Sequence, residues 1–229
     1  MKVELISYNN LGEKVCGIAS KTCVSESVPT VDDDVTKSLK AAMASGHSAV
    51  LEHWSATFAI SGVSRALTHQ LVRHRLASYS QQSQRYVNMD WFEYVIPKSI
   101  ENHEKTWDEE GKTDVAKWYT NVMEGLSVFY AKLIEAGIPE EDARYILPNA
   151  CTTNIVVTMN ARELRHFFRL RCCSRAQWEI RELANRMLEL CKEVAPVLFE
   201  DAGPSCAATG RCPEGKKSCG EPMKRKVKE

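Results

Sequence analysis

The sequence predicts an α+β fold in a single domain, with an antiparallel or mixed sheet flanked by helices and a poorly structured C-terminal tail. Three observations carry that expectation. Short β-prone runs at residues 3–8, 54–60 and 152–158 alternate with longer stretches whose apolar residues recur at helical spacing, and the apolar period stops beyond Glu200. A chain of 229 residues, 44% of them hydrophobic, can build one substantial core. Neither internal repeats nor a second core is visible, so residues 1–202 are expected to form the domain and 203–229 a Cys- and Lys-rich tail.

Val3 to Tyr8 alternates and reads as the first strand. Asp32 to Asp34 caps a helix that continues to about Ser45, where Gly46 stops it. Trp54, Thr57, Phe58 and Ile60 belong to a strand ending at Ser61-Gly62. Ser64 then caps a helix that turns Ala66, Leu67 and Leu71 inward and places Gln70 and Arg73 on one face. From about Thr113 to Ala136, Val115, Trp118, Val122, Leu126, Phe129 and Leu133 follow a helical period closed by Gly137. Pro139 suits the first turn of a short helix bearing Arg144, which must end before Pro148. After the strand at Thr152 to Thr158, Asn160 and Glu163 form a capping-box pattern, with Met159 stapled to Leu164. Ser174 and Gln177 repeat the signal for a helix through Trp178, Met187, Cys191 and Val194, ending near Pro196.

The 30 basic residues balance 30 acidic ones, which argues against a generally basic nucleic-acid binder while leaving room for local positive clusters. No apolar run approaches the roughly 18 residues that span a bilayer, and the N-terminus lacks a signal-peptide core, so a cytoplasmic protein without a membrane partner is expected. The nine cysteines, odd in number, are expected to be reduced thiols.

Two polar sets stand out. Arg73 to Arg85 holds three arginines, a histidine, three serines and three glutamines. Guanidinium forks donate in pairs to phosphate oxygens, so this composition suits a phosphorylated ligand; a solvated helix end and polar loop is the plainer reading. Arg162, Arg165, His166, Arg169, Arg171 and Arg175 form the second set, with Glu163 the only acid among them. Arginines near a helix C-terminus also complement the macrodipole, which accounts for Arg169 and Arg171 without a ligand.

Arg73-His74-Arg75, seven residues, then Ser83 resembles the signature of flavin-dependent thymidylate synthases, extended here by Gln70 and Arg85-Tyr86. Further blocks follow in family order: Gly46-His47, Leu51-Glu52-His53, Ala143-Arg144 to Leu147-Pro148, Asn160-Ala161-Arg162, Leu170-Arg171 and Ala176 to Ile180. The resemblance covers roughly residues 1–200. It implies FAD contacts from Ser25, His47, Arg73, His74, Arg75, Gln81, Asn160, Arg162 and His166. It implies dUMP contacts from Gln70, Arg73, Gln81, Ser83, Gln84, Arg85, Arg144 and Arg171. The activity implied is methylation of dUMP to dTMP, with methylenetetrahydrofolate as one-carbon donor and NADPH as the reductant of FAD. It also implies a homotetramer with sites shared between subunits. Arg171 is the candidate catalytic residue, a guanidinium able to stabilise negative charge on the pyrimidine during attack from C5.

Other readings are set against this one. Ser83 has no evident base partner and is read as a phosphate ligand, not a nucleophile. Cys172 and Cys173 are read as packing thiols, because the family resembled does not use a protein thiol adduct. His53 and His69 lack metal-spacing partners and are read as satisfied structural histidines, and Cys206, Cys212 and Cys219 lack the short hooks of a zinc site, so no metal is expected. Ala49, Gln81 and Arg175 depart from residues common in the family resembled. The competing functions are a flavoprotein that methylates uracil in RNA and a non-enzymatic RNA-binding module built on the Arg-rich helix.

Overall fold

A computed structural model describes residues 1–103 and 114–220. Strands β1 (Lys2–Tyr8), β2 (Ser55–Ser64), β3 (Ala77–Gln81) and β4 (Thr152–Asn160) form one antiparallel sheet, ordered β1-β2-β4-β3. Ten helices are present among the described residues: α1 (Gly12–Thr22), α2 (Thr36–Ala44), α3 (Arg65–Leu71), α4 (Lys98–Glu101), α5 (Val115–Glu135), α6 (Glu140–Ala143), α7 (Ala161–Arg171), α8 (Trp178–Val194), α9 (Pro196–Phe199) and α10 (Ser205–Thr209). The α+β expectation holds. The chain gathers into two units, a larger one of residues 3–60, 70–79 and 156 onward, and a smaller one of residues 1–2, 61–69 and 80–155.

In the larger unit, alternation along β2 turns Ala56, Phe58 and Ile60 inward, and Val157 and Met159 of β4 do the same. Helices α7 and α8 add Leu164, Phe167, Phe168, Leu183, Met187 and Cys191, all fully buried. Trp54 meets Phe199 edge to face at 5.2 Å, and Phe199 meets Phe168 at 6.0 Å. Burying each of these aromatic side chains contributes on the order of 1.5–3 kcal/mol.

Helix α1 is not foreseen from the sequence, because Gly12 and Gly17 dilute its helical signal. Packing explains both glycines. A Cβ on Gly12 would lie 2.2 Å from Cδ1 of Trp54, and one on Gly17 would lie 2.5 Å from Cγ2 of Val35. Because Trp54 is only 1% exposed, it cannot swing away. Gly12→Ala is therefore expected to destabilise the fold by about 1–3 kcal/mol through overpacking, despite alanine's better helix propensity. A melting temperature equal to or above that of the parent protein would contradict this packing.

The helix ends follow the capping chemistry in most places. At α2 the N-cap position falls on Val35, which makes no side-chain cap, and the expected cap at Asp32 to Asp34 reduces to the Asp34 carboxylate accepting the Thr36 N–H at 3.1 Å; Gly46, at φ 78°, follows the helix end. Asn160 Oδ1 accepts the Glu163 N–H at 2.9 Å to open α7. For α8 the cap is Gln177 and not Ser174: its amide oxygen accepts the N–H groups of Glu179 and Ile180. The carbonyl of Ser174 is taken instead by the Arg181 guanidinium. Helix α3 ends at Leu71, so Arg73 lies in the following turn and does not share a helical face with Gln70.

In the smaller unit Met89, Phe92, Met123, Tyr130, Ala143 and Cys151 form a hydrophobic cluster of their own, a second core that no pattern in the sequence announces. Ser64 Oγ accepts the Leu67 N–H and caps α3 as expected. Asp114 caps α5, while the expected start at Thr113 lies outside the described residues. The apolar period of α5 identifies a helix but misplaces its buried face. Met123, Ser127 and Tyr130 are buried, with Leu126 and Leu133 packed beside them, whereas Trp118, Val122 and Phe129 are exposed. The helix is apolar on two sides, and periodicity alone does not say which one the chain itself covers. Pro139 caps α6, after which Arg144–Ile146 forms a 3-10 turn ending before Pro148.

As far as residue 220 the tail carries only the short α10 and a 3-10 turn at Gly215–Lys217, in keeping with the loosely structured tail expected. Its residues 221–229 lie outside the described part. No helix of the described residues is long and apolar enough to cross a membrane.

Candidate functional site

Within the larger unit, the turn after α3 carries Arg73, His74 and Arg75 against α7. There they line a cavity of about 380 Å³ together with Leu76, Glu163, His166, Leu170 and Arg171. Two buried polar groups sit at its base, His74 at 4% and Glu163 at 6% exposure. His74 Nδ1 lies 3.2 Å from Glu163 Oε1, and Arg171 Nε donates to His74 Nε2 at 3.2 Å. The imidazole edge also meets the Phe167 ring at 4.9 Å.

These contacts determine the tautomer. Arginine Nε–H can only donate, so Nε2 must present its lone pair, and the proton must sit on Nδ1 and point at Glu163. Burial, then the neighbouring charges of Arg171 and His166, push the His74 pKa down to about 4. The ring is thus neutral near pH 7, and its contact with Glu163 is a hydrogen bond and not an ion pair. Burial also raises the Glu163 pKa, partly countered by His166, and lowers that of Arg171. The Arg171 guanidinium is half-buried and anchored through Nε on His74.

Among the described residues, His74, Glu163 and His166 are the one trio whose potential metal-ligand atoms lie within 4.8 Å of one another. With both His74 nitrogens committed, one to Glu163 and the other to Arg171, the ring has no lone pair for an ion in this arrangement. Of the tail cysteines, none belongs to such a group.

The remaining arginines of α7 have partners at the protein surface. Arg162 pairs with Glu52 at 2.6 Å, and Arg165 holds both carboxylate oxygens of Asp201 as well as the Leu198 carbonyl. Arg169 donates to His166 Nδ1 at 3.0 Å.

In the smaller unit, Gln81, Ser83, Gln84, Arg85 and Arg144 occur together along one polar stretch and the neighbouring α6 turn. The amide of Gln81 donates to the hydroxyls of Thr68 and Thr153, and that of Gln84 approaches Cys151 Sγ at 3.9 Å. Ser83 Oγ accepts the Arg85 N–H in a tight turn, and among the described residues no base is paired with it. Arg85 is held by Glu141, its Nε at 3.0 Å and a terminal nitrogen at 2.8 Å from the same carboxylate oxygen. Arg144 Nε donates to the Glu141 carbonyl at 3.0 Å. Glu141 thus supplies an anionic acceptor to Arg85, the arrangement a phosphate would take.

The other residues singled out by the sequence take different places. Gln70 lies at the end of α3 in the larger unit, its carbonyl accepting the Arg73 N–H. Asn160 caps α7, so its side-chain oxygen is occupied, and Arg162 faces Glu52; neither lines the cavity. Ser25 and His47 also lie outside the cavity lining, His47 exposed at the start of a 3-10 turn. His53 and His69 are exposed. Cys172 is a buried reduced thiol whose pKa burial pushes up to about 12, which leaves it inert as a nucleophile.

Glu163 is legible in the sequence only as a capping-box member. Its backbone does serve the cap, but its carboxylate goes to His74, 89 residues away, and no local signal announces that contact.

The lining combines apolar and cationic side chains. Leu76 and Leu170 are exposed apolar walls, at 66% and 44%, and Arg73 and Arg75 are exposed guanidinium donors of the kind that bind a diphosphate.

Residues 4–197 match the family model described as thymidylate synthase complementing protein. Among curated proteins, the chain is 48% identical to a flavin-dependent thymidylate synthase of Clostridium tetani, with 96% of this chain and 94% of the relative covered. A protein of the same name from Geobacter sulfurreducens is also 48% identical, with the same coverage. Another, from Nitratidesulfovibrio vulgaris, is 53% identical over 77% of this chain and 72% of its own length.

Proposed function

The chain belongs to the thymidylate synthase complementing protein family, the flavin-dependent thymidylate synthases, and from that premise we propose how its residues divide the work. The reaction is the reductive methylation of dUMP to dTMP, with methylenetetrahydrofolate as one-carbon donor. FAD, reduced by NADPH, supplies the hydride that turns the transferred methylene into a methyl group.

The observation that carries the assignment of roles is the meeting of the Arg73-His74-Arg75 run with His166 and Arg171 around one cavity. Arg73 and Arg75 are assigned to the FAD diphosphate, and Leu76 and Leu170 to the faces of its ring. His74, neutral and buried, presents no charge to the flavin. Arg171 is assigned to the pyrimidine. Its Nε is anchored on His74, so its terminal nitrogens can meet the O4/N3 edge and stabilise the negative charge that develops as C5 attacks. Ser25, His47, Asn160 and Arg162 would complete the flavin site from outside the cavity lining.

Gln70, Gln81, Ser83, Gln84, Arg85 and Arg144 are assigned to dUMP, with Ser83 and Arg85 on its phosphate. On this reading Glu141 holds the place of the phosphate when dUMP is absent and must be displaced. Glu141→Gln, which weakens the competing contact, is expected to lower the KM for dUMP by roughly two- to fivefold, as befits an exposed ion pair. An unchanged or raised KM would remove Arg85 from the phosphate site.

We further assign the enzyme to a cytoplasmic homotetramer with sites shared between subunits. Apolar residues that the chain leaves exposed support a protein partner: Trp118, Val122 and Phe129 on α5, with Trp91 and Tyr145 in the same unit. Sedimentation of the purified protein tests this, and a monomer would refute it. Residues 1–202 are taken as the catalytic domain and 203–229 as its tail.

The whole assignment is tested by purification. The protein should be yellow after reconstitution with FAD, bleach under NADPH and recover in air. It should form dTMP from dUMP, methylenetetrahydrofolate and NADPH. Uracil methylation of RNA in preference to dUMP would overturn the substrate assignment.

A further inference from the structure

We propose that Glu163 is a positioning residue for Arg171, acting through His74, and that it thereby sets how tightly the pyrimidine of dUMP is held. The inference rests on the assignment of Arg171 to the pyrimidine.

Its basis is a chain of three directional contacts in a buried setting. Glu163 accepts from His74 Nδ1, and His74 Nε2 accepts from Arg171 Nε, each at 3.2 Å. A neutral imidazole offers one donor and one acceptor, so the two contacts are linked. While Nδ1–H is held by the carboxylate, Nε2 must be an acceptor, and Arg171 Nε is drawn to it. Without an acceptor at Nδ1, the buried ring is free to move its proton to Nε2. That places N–H against N–H and pushes the guanidinium out of its place.

The ring has little freedom to escape this choice. It is 4% exposed and is bounded by Phe167 at 4.9 Å and by the His166 ring at 5.8 Å. Glu163 is equally fixed, in the first turn of α7 with its own N–H tied to Asn160. Its carboxylate is not needed to cap the helix, which the Asn160 side chain already does. A buried carboxylate is costly, and its retention here is explained by the contact with the ring.

The test is dUMP binding to FAD-loaded protein by equilibrium dialysis, with turnover as a second readout. Glu163→Ala is expected to weaken dUMP binding about five- to tenfold, comparable to the loss of one good polar contact. Glu163→Gln should restore binding to within about twofold of the parent, because its amide oxygen can still accept from Nδ1–H. In an Arg171→Ala background, Glu163→Ala should cause no further weakening, since the group it positions is gone. Glu163→Leu, which fills the same volume, takes the place of the alanine variant if that one does not fold.

Equal losses from Glu163→Ala with and without Arg171 would show a general structural role and overturn the proposal, as would a glutamine variant no better than alanine. If Arg171→Ala alone leaves dUMP binding unchanged, the assignment of Arg171 to the pyrimidine fails first and the proposal falls with it.

Discussion

Arg171→Ala is expected to lower the kcat for dTMP formation by about 100- to 1,000-fold, the usual consequence of removing one preorganised donor from a developing anion. FAD should stay bound, because Arg73 and Arg75 remain and the substitution takes away only the hydrogen bond from Arg171 to His74. The Arg171 guanidinium is half-buried, and burial lowers its pKa. Such a cation interacts more strongly with charge appearing beside it than a solvated one would. Arg171→Lys should recover little, since an ammonium cannot both anchor on His74 and reach the ring with a second donor. The measurement is steady-state kinetics beside the ratio of flavin to protein absorbance. Loss of flavin with normal turnover in the remaining holoenzyme would move Arg171 to a structural role.

The second large effect is expected from the paired substitution Arg73→Ala and Arg75→Ala. Each guanidinium is assigned charge-assisted hydrogen bonds to phosphate, worth about 1.5–3 kcal/mol apiece, so FAD affinity should fall by more than about 100-fold. Both side chains are exposed, so the apoprotein should melt at nearly the parent temperature. Flavin content after desalting, and titration of the apoprotein with FAD, decide the matter. Full flavin retention would remove these arginines from the diphosphate. High salt should mimic the double variant in part, because exposed cation–phosphate contacts are screened.

The fold is legible wherever a local rule decides. Ser64, Asn160 and Gly46 mark helix ends by capping chemistry and backbone freedom, which operate within four residues, and all three act as expected. Ser174 illustrates the limit of such rules. It satisfies the capping pattern, yet Gln177 three residues on serves the helix, because a side-chain acceptor closer to the N–H groups of Glu179 and Ile180 takes the role. Gly12 and Gly17 conceal α1 because the reason for them lies in Trp54 and Val35, which meet them only after folding.

By itself the sequence determined the α+β class, most of the elements apart from α1 and β3, and the family membership carried by Arg73 to Ser83 with its companion blocks. Those conclusions rest on local periodicity and on short motifs, which are properties of neighbouring residues. Only the tertiary structure decided which face of α5 is covered, which arginines of α7 are spent on Glu52 and Asp201, and that Glu141 occupies Arg85. It alone brought Glu163 to His74 and His74 to Arg171. The physical reason is that a hydrogen bond depends on distance in space. Groups 89 and 97 residues apart acquire a shared proton arrangement only when the packing of α7 against the turn after α3 has removed the water between them.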